Sequence, residues 1–311
     1  MVKTTSAIGI DIGGTKIAIG IVDQQGTILA QTAFPTDSPL GIPNACERIH
    51  QAISKLTDKL NLPISKLAGI GIGCPGPMNR ETGEILNPHT LLGWETVSLT
   101  HTLESKINLP IELENDADAA LLGECFAGAA VGCQHVVMLT FGTGVGGAAL
   151  TEGRILRGID GEHPEIGLIP VLPDEATDYS GVPGSLESIA SGTGIAKAGI
   201  LLGFPDSPSV FAAAKSGDLK AAEIIRKATR GITLGCITVA HTLCPERIVL
   251  GGGLMDDHYD TFASHIQIAI NQATLLPPQR IKLAKAKLGN LAGIVGAASL
   301  VFKSISRTTS H

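Results

Sequence analysis

Aromatic residues are scarce in this 311-residue chain, which contains 1 Trp, 2 Tyr and 7 Phe. Proteins that bind single-stranded nucleic acid stack the bases on aromatic side chains, so this composition does not suit them. An excess of positive charge is lacking too, because the formal net charge is −6. A surface that binds a phosphate backbone needs clustered Lys and Arg. The sequence therefore argues against a nucleic-acid partner.

Long apolar runs and paired cysteines are also missing. No apolar run reaches the roughly 18 residues that a membrane-spanning helix needs, and no signal peptide is visible. None of the six cysteines belongs to a C-x-x-C pair, so neither a zinc ribbon nor a redox motif is indicated. We therefore expect no membrane partner, a cytoplasmic location and reduced thiols in the interior.

Glycine, in contrast, is abundant at 38 residues, and 44% of the chain is hydrophobic. This composition is typical of a compact enzyme with many tight turns around a ligand. Apolar residues at helical spacing predict helices at 42–60, 186–201, 218–243 and 290–304. The length suits one large or two medium domains.

The first glycine motif lies in IGIDIGGTKIAIGIVD, residues 8–23, which predicts a strand, a tight turn and a second strand. Its glycines permit a positive φ or a close backbone approach, so a phosphate could reach free N–H groups. Asp11 would repel phosphate but could hold the hydrated Mg²⁺ that accompanies ATP. The motif is neither a P-loop nor a Rossmann fingerprint, and a hairpin without a ligand is the alternative. The candidate phosphate-binding turn consists of Gly13, Gly14, Thr15 and Lys16.

Asn115 and Asp116 follow a predicted strand at 111–113 and precede a predicted helix at 117–130. At a helix N-terminus the dipole and the free N–H groups favour an ionised carboxylate. Ionised Asp116 could accept the proton of a hydroxyl that attacks phosphorus. Asn115 offers a donor and an acceptor to a sugar hydroxyl. Taken alone, the pair is also explained by a simple helix cap.

The chain repeats its opening plan from residue 134, where HVVMLTFGTGVGGAALTEGRIL again predicts strand, glycine loop, strand and turn. Few residues are identical, so the repeat rests on the pattern. Two α/β halves of this kind predict two similar domains with a ligand cleft between them. We place the N-terminal domain at 1–116, completed by a C-terminal helix at 290–311, and the second domain at 117–289.

Two further glycine clusters lie in this second half. The loop Gly142, Thr143, Gly144 could form a second phosphate cradle or an ordinary turn. The run Gly251, Gly252, Gly253 follows a predicted strand at 247–250. It could let an adenine ring lie against the backbone, or it could be an ordinary strand-to-helix turn.

The ordered set of motifs resembles the ROK family of repressors, open reading frames and kinases, within the actin–hexokinase superfamily. The resemblance covers nearly the whole chain and rests on IGIDIGGTKIAIGIVD, GIGCPGPM, LENDADAALLGE, LTFGTGVGGA and IVLGGG. It implies an α/β fold of two actin/hexokinase-like (ribonuclease H-like) domains with an interdomain cleft. It also implies transfer of the ATP γ-phosphoryl group to a sugar hydroxyl, usually that on C6, by an enzyme that is often a homodimer.

The resemblance assigns roles to matching positions. Asp116 falls on the catalytic base, Asn115 on a sugar ligand and Gly76 on a sugar-contacting turn. Glu165 and Glu187 fall on two further sugar ligands. The phosphate and nucleotide positions are Asp11, Gly13, Gly14, Thr15, Lys16, Gly142, Thr143, Gly144, Gly251, Gly252 and Gly253.

The chain departs from the family at its structural zinc site. Most members have a Glu-x-Gly-His segment followed by C-x-C-G-x-x-G-C-x-E. Leu cannot coordinate zinc and Ser hydroxyls are poor ligands, so we predict no structural zinc. The lost His is also a usual sugar contact, which His163 could replace unless it is an ordinary exposed loop residue. The four substituted positions are Leu168, Asp178, Ser180 and Ser185.

The leading interpretation is an ATP- and Mg²⁺-dependent hexose kinase, with glucose as the first sugar. N-acetylmannosamine, N-acetylglucosamine and fructose remain alternatives, because some N-acetylmannosamine kinases of the family also lack the zinc ligands. A sugar-sensing transcription regulator would carry a winged-helix segment before the first strand, which we expect to begin near residue 6. A catalytically dead sugar-binding protein would not need Asp116 and two phosphate loops.

Overall fold

The computed structural model describes residues 5–87, 90–95, 97–173, 177, 180–273 and 280–308. Contacts divide the chain into two compact units. Unit 1 consists of Met1–Val131, Gly158–His163 and Asn290–His311. Unit 2 consists of Gly132–Arg157 and Pro164–Gly289.

Unit 1 contains a five-stranded sheet, a small two-stranded ribbon and flanking helices. The strands of its sheet are β1 (Ser6–Ile12), β2 (Lys16–Asp23), β3 (Ile28–Pro35), β4 (Ile70–Cys74) and β7 (Ile111–Asn115). The ribbon pairs β5 (Met78–Asn79) with β6 (Glu84–Ile85). The helices are α1 (Gly41–Lys59), α2 (Leu99–Glu104), α3 (Asp116–Ala127) and α9 (Ala292–Thr308).

Unit 2 contains a second five-stranded sheet and its own helices. Its strands are β8 (Val136–Phe141), β9 (Val145–Thr151), β10 (Arg154–Ile155), β11 (Arg247–Gly251) and β12 (Lys282–Lys285). Its helices are α4 (Leu186–Ala190), α5 (Gly192–Ile200), α6 (Ser207–Lys215), α7 (Leu219–Leu243) and α8 (Gly253–Ala273).

The two sheets share one topology. The strand order is β3-β2-β1-β4-β7 in unit 1 and β10-β9-β8-β11-β12 in unit 2. In each sheet the first two strands form an antiparallel hairpin, and two later strands are parallel to the first. The predicted repeat of strand, glycine loop and strand is therefore present twice.

The predicted helices are present with one interruption. Helices α1 and α7 lie close to the predicted ranges 42–60 and 218–243. The range 186–201 instead holds two helices, because Ser191 has an extended backbone and its hydroxyl accepts the N–H of Gly194 to begin α5. In the described part of the chain, no helix is both long enough and apolar enough to span a bilayer.

The sheet of unit 1 is covered on both faces, which explains the nearly continuous apolar run of β1. One cluster of buried residues joins Ile8, Ile10 and Ile12 to α1. A second cluster joins Ala7 to Ile294 and Ala298 of α9.

The backbone of helix α9 lies close to the backbones of β1, β4 and α3. A Cβ at Gly9 of β1 would overlap the carbonyl oxygen of Ile294, and one at Gly71 of β4 would overlap that of Ala297. A Cβ at Gly296 of α9 would overlap a carbonyl of α3. Glycine therefore lets α9 approach two strands and a helix at distances that no side chain allows.

This packing also changes the expected domain division. Helix α3 packs on α9 and lies within unit 1, whereas the sequence placed residues 117–131 in the second domain. The segment Gly158–His163 also groups with unit 1. The first boundary thus follows Val131 rather than Asp116, because α3 makes its main contacts with a helix far away in sequence.

We expect Gly71→Ala to lower the free energy of unfolding by at least about 2 kcal/mol, because the new methyl group would force α9 away from the sheet. Urea unfolding followed by circular dichroism would measure the loss. Gly253→Ala is a matched control, since nothing lies within 4 Å of a Cβ at that position. Equal stability of both variants would contradict the close packing of α9.

Candidate functional site

Thr36 holds the turn between β1 and β2 through two hydrogen bonds. The Thr36 hydroxyl donates to the carbonyl of Gly13 at 2.6 Å, and the Thr36 N–H donates to that of Thr15 at 3.0 Å. Neither Gly13 nor Gly14 has a positive φ. A Cβ at Gly14 would instead lie 2.7 Å from Cγ2 of Thr90. Close approach therefore applies at Gly14, whereas a Cβ at Gly13 would lie 3.4 Å from the carbonyl oxygen of Lys16, an ordinary contact distance.

Asn115 ends β7 and caps α3, which begins at Asp116. Its Oδ1 accepts the N–H groups of Ala117 at 2.8 Å and Asp118 at 3.2 Å. Asp116 Oδ1 also accepts the Ala117 N–H, at 2.9 Å. The helix-cap interpretation is therefore confirmed for Asn115. Because the cap occupies its oxygen, the Asn115 amide presents Nδ2 as a donor.

Gly76 faces this amide. Strands β4 and β7 are parallel, so their carboxyl ends meet, and Cys74 pairs with Asn115. A Cβ at Gly76 would lie 3.4 Å from Nδ2 of Asn115. Asn87 holds the turn by donating its Nδ2 to the Gly76 carbonyl at 2.6 Å. The structure thus brings Gly76 and the Asn115 amide together, with that Cβ position at van der Waals distance from the amide.

Asp11 and Asp116 form an acidic pair at the same end of the sheet. Burial raises the pKa of Asp11 to about 6, the carboxylate of Asp116 adds to this rise, and Lys16 opposes it. Asp11 pairs in register with Gly73, which carries no side chain that would separate the strands' ends. A Cβ at Gly293 of α9 would lie 2.6 Å from Oδ2 of Asp11. Sequence reasoning missed Gly293, whose only signal is a glycine near the start of an apolar helix.

The turn of residues 142–144 joins β8 to β9 in unit 2. The first N–H groups of α5 hold it, since Gly192 donates to the carbonyl of Gly142 at 2.8 Å. Thr193 donates to the carbonyl of Thr143 at 3.3 Å. These contacts fix the carbonyl groups of the turn.

Glu187 also contacts this turn. Its Oε2 accepts the N–H of Val145 at 2.8 Å, and a Cβ at Gly144 would overlap the same oxygen. The carboxylate therefore helps to hold the loop, a role that the sequence did not indicate. Glycine at 144 is required by this close approach.

A cavity of about 650 Å³ opens beside the third glycine cluster. Gly252 has a φ of 87° and packs against the Phe141 carbonyl, whereas Gly253 starts α8 and lines the cavity. The rings of Phe211 and His258 stack in its wall, with centroids 3.6 Å apart. Burial lowers the pKa of His258, and Asp257 opposes this shift. Sequence reasoning missed these lining residues: Thr193, Lys197, Phe211, Asp257 and His258.

The described residues of the segment that carries the substituted zinc positions offer poor zinc ligands. Leu168 has no donor atom, and the Ser185 hydroxyl caps α4 by accepting the Ser188 N–H at 2.9 Å. Ser180 is exposed, and Asp178 lies outside the described residues. Across the described ranges, no group of three His, Cys, Asp or Glu could hold a metal ion. The donors present do not fit zinc, and its absence from the protein stays a prediction.

Backbone hydrogen bonds support this segment instead. Val171 donates to the carbonyl of Gly184 at 2.9 Å, and Leu186 donates to that of Ile169 at 2.9 Å. Glu165 is exposed and precedes a 3₁₀ turn. His163, in the segment that groups with unit 1, is half-buried rather than exposed.

Most of the predicted residues thus lie in one group in each unit, and Glu165 is in neither group. In unit 1 the structure gathers Asp11, the turn of residues 13–16, Gly76, Asn115 and Asp116 at the carboxyl ends of three strands. In unit 2 it places the turn of residues 142–144 against Glu187 and beside the cavity at Gly253.

A sequence model of the ROK family matches residues 7–304. The chain belongs to the ROK family. It is 32% identical over 317 residues to a glucokinase of Halalkalibacterium halodurans, in a match that covers 94% of each chain.

Solved ROK structures agree with this assignment. The ROK hexokinase of Thermus thermophilus has a TM-score of 0.86 and 30% identity, with 97% of this chain and 100% of that chain covered. A ROK glucokinase of Streptomyces griseus, in complex with glucose and AMPPNP, has a TM-score of 0.74 and 28% identity, with 96% and 99% covered. The predicted α/β fold class of the actin–hexokinase type is confirmed for this ROK protein.

Because Asp11 is costly to ionise in the folded protein, we expect Asp11→Asn to stabilise it at pH 7.5. Between pH 3.8 and about 6 the folded state keeps a proton that the unfolded chain releases, so stability falls as pH rises through this window. The variant should gain up to about 3 kcal/mol at pH 7.5 and little near pH 4. Urea unfolding at both pH values would measure the gain. A gain that is equal at both would contradict the raised pKa.

Proposed function

We propose that this ROK protein is an ATP-dependent hexose kinase, with glucose as the first candidate substrate. The observation that carries the proposal is the Asn115–Asp116 turn, which faces Gly76 at the carboxyl ends of β4 and β7. Similarity to a glucokinase and to a glucokinase structure with bound glucose supports glucose. The product would be the sugar phosphate, with ADP released.

Asp116 is the proposed catalytic base. Its position at the first turn of α3 favours the ionised form, and the Ala117 N–H orients Oδ1. The carboxylate would accept the proton of the sugar hydroxyl as that oxygen attacks the γ-phosphorus and the bond to the ADP oxygen breaks. Positioning and charge supply most of the catalysis in such a reaction.

Asn115 and Gly76 are proposed to hold the sugar beside the base. Since Oδ1 of Asn115 is fixed by the cap, Nδ2 would donate to a sugar hydroxyl. Gly76 would leave room for the ring. Glu165 and Glu187 are the proposed sugar ligands of unit 2, and His163 is a candidate polar contact.

Asp11 is proposed to hold Mg²⁺ through water. The pair of Asp11 and Asp116 fits a hard divalent cation, because such an ion would offset the repulsion that helps raise the pKa of Asp11. When bound, Mg²⁺ neutralises charge on the β- and γ-phosphates. Asp11 would have to be ionised for this role. Mg²⁺ binding would then offset the free-energy cost of ionising Asp11 in the folded protein.

The two glycine turns are the proposed phosphate sites. The N–H groups of Gly13 and Gly142 donate to the carbonyls of Lys16 and Gly144 within the turns. Other backbone N–H groups of the two turns would face the phosphates of ATP, and Lys16 would add positive charge. The cavity beside Gly253 has the size of a nucleoside site, and its stacked rings offer an apolar wall for adenine. The proposed nucleotide residues Gly251 and Gly252 shape its edge. A homodimer and a cytoplasmic location remain predictions.

A coupled ADP-release assay across glucose, mannose, fructose, N-acetylmannosamine and N-acetylglucosamine would test the proposal. We expect glucose to give the highest kcat/KM and removal of Mg²⁺ to abolish turnover. The sugar choice is wrong if another member of the panel is preferred. The kinase proposal is wrong if no sugar supports ADP release.

For Asp116→Asn we expect kcat to fall at least about 10²-fold, because the amide cannot take the hydroxyl proton. Sugar affinity, measured by calorimetry, should change little, since Asn115 and Gly76 are intact. The melting temperature serves as the control for folding. Near-normal turnover in this variant would remove Asp116 from the mechanism.

A further inference from the structure

Arg80 connects two separate parts of unit 1. Its Nε and Nη2 donate to Oε1 of Glu114 at 3.1 and 2.9 Å. Its Nη1 donates to the carbonyl of Gly161 at 2.8 Å. The guanidinium therefore joins the end of β7 to the segment of residues 158–163, which returns to unit 1 from another part of the chain. The planar fork of Arg serves both acceptors at once, which a Lys ammonium on its flexible stem cannot reproduce.

Glu114 connects Arg80 to the proposed catalytic turn of Asn115 and Asp116. The Oε1 atom that accepts from Arg80 also accepts the backbone N–H of Asn115 at 2.8 Å. Glu114 is only 4% exposed. A carboxylate so far removed from water needs a cation and several donors, and Arg80 is its cation. The position of the Asn115 peptide group thus depends on an ion pair.

The position of Asn115 in turn fixes Asp116. Asn115 caps α3 through its side chain, and Asp116 is the first residue of that helix. A change in the Asn115 peptide plane would move both the cap and the carboxylate that follows it. The effect would stay local, because β7 keeps its ladder of pairs with β4 from Ile111 onward.

We propose that Arg80 is a positioning residue for phosphoryl transfer, which acts through Glu114 on the Asn115–Asp116 turn. This inference rests on the kinase activity proposed above. Among the described residues, the hydrogen bonds of Arg80 go to Glu114 and Gly161 and not to the turn of residues 13–16. Its loss should therefore lower kcat and leave the KM for ATP unchanged.

The chain offers a closely matched control in Arg48. Its Nη1 donates to Oδ2 of Asp37 at 3.0 Å, and its Nη2 donates to the carbonyl of Pro35 at 2.7 Å. Arg48 thus also joins a carboxylate to a carbonyl, and its side chain is 25% exposed against 22% for Arg80. Asp37, however, does not contact the Asn115–Asp116 turn.

The experiment compares kcat, both KM values and the melting temperature for Arg80→Met, Arg80→Lys, Glu114→Gln, the double variant Arg80→Met/Glu114→Gln and Arg48→Met. We expect Arg80→Met to lower kcat about 10²-fold, as a small misplacement of a catalytic group does. Arg80→Lys should recover part of this loss. The double variant should lose no more than Arg80→Met, because both residues act along one path. Arg48→Met should lower kcat much less than Arg80→Met, although its partners Pro35 and Asp37 flank Thr36.

Three outcomes would overturn the inference. In the first, the wild-type protein phosphorylates sugar and Arg80→Met has the same kcat as Arg48→Met. The kinase proposal then stands, and the role of Arg80 does not. The second is a parallel loss of melting temperature, kcat and affinity for both substrates, which indicates a purely structural role. The third is a wild-type protein without sugar phosphorylation, which removes the proposed function as well. If Arg80→Met does not fold, normal kcat in both Arg80→Lys and Glu114→Gln contradicts the inference.

Discussion

The close contact of α9 with β1, β4 and α3 is the constraint on which the rest of unit 1 depends. Glycines at 9, 71, 123 and 296 lie where a side chain would keep the backbones apart. Helix α9 covers one face of the sheet and also packs against α3. Because α3 begins at Asp116 and α9 approaches Asp11 at Gly293, the same packing places both carboxylates of the acidic pair. Stability and the proposed chemistry of unit 1 therefore share one set of contacts.

The acidic pair shows how a proposed active site can oppose the stability of the fold that carries it. Folding removes Asp11 from water beside a second carboxylate, and both effects raise its pKa and make its ionised form costly. Arg80 and Glu114 show the opposite arrangement nearby, since there a buried carboxylate has its cation within hydrogen-bonding distance. Lys16 only partly offsets the effects that raise the pKa of Asp11, so this pair is suited to a cation that arrives with the substrate.

Local patterns were enough to predict the glycine turns, the strand before Asn115 and the helix after Asp116, because each depends on neighbours in sequence. Contacts between distant residues were not predictable in this way. Thr36 behind the first turn, Gly293 beside Asp11 and Arg80 beside Glu114 carry no local signal. A glycine that permits close packing also looks like a glycine that permits a turn. For that reason Gly71 was not singled out, and α3 was assigned to the wrong side of the domain boundary.

The chain order of unit 1 has a consequence for synthesis on the ribosome. Residues 132–157 and 164–289 lie between its first strands and α9, so all of unit 2 is translated before the helix that covers Gly9 and Gly71. The described strands and helices of unit 2 all precede α9 in the chain, so they are synthesised while one apolar face of the unit 1 sheet still lacks its covering helix. Burial of that face must wait until residues 292–308 have been synthesised.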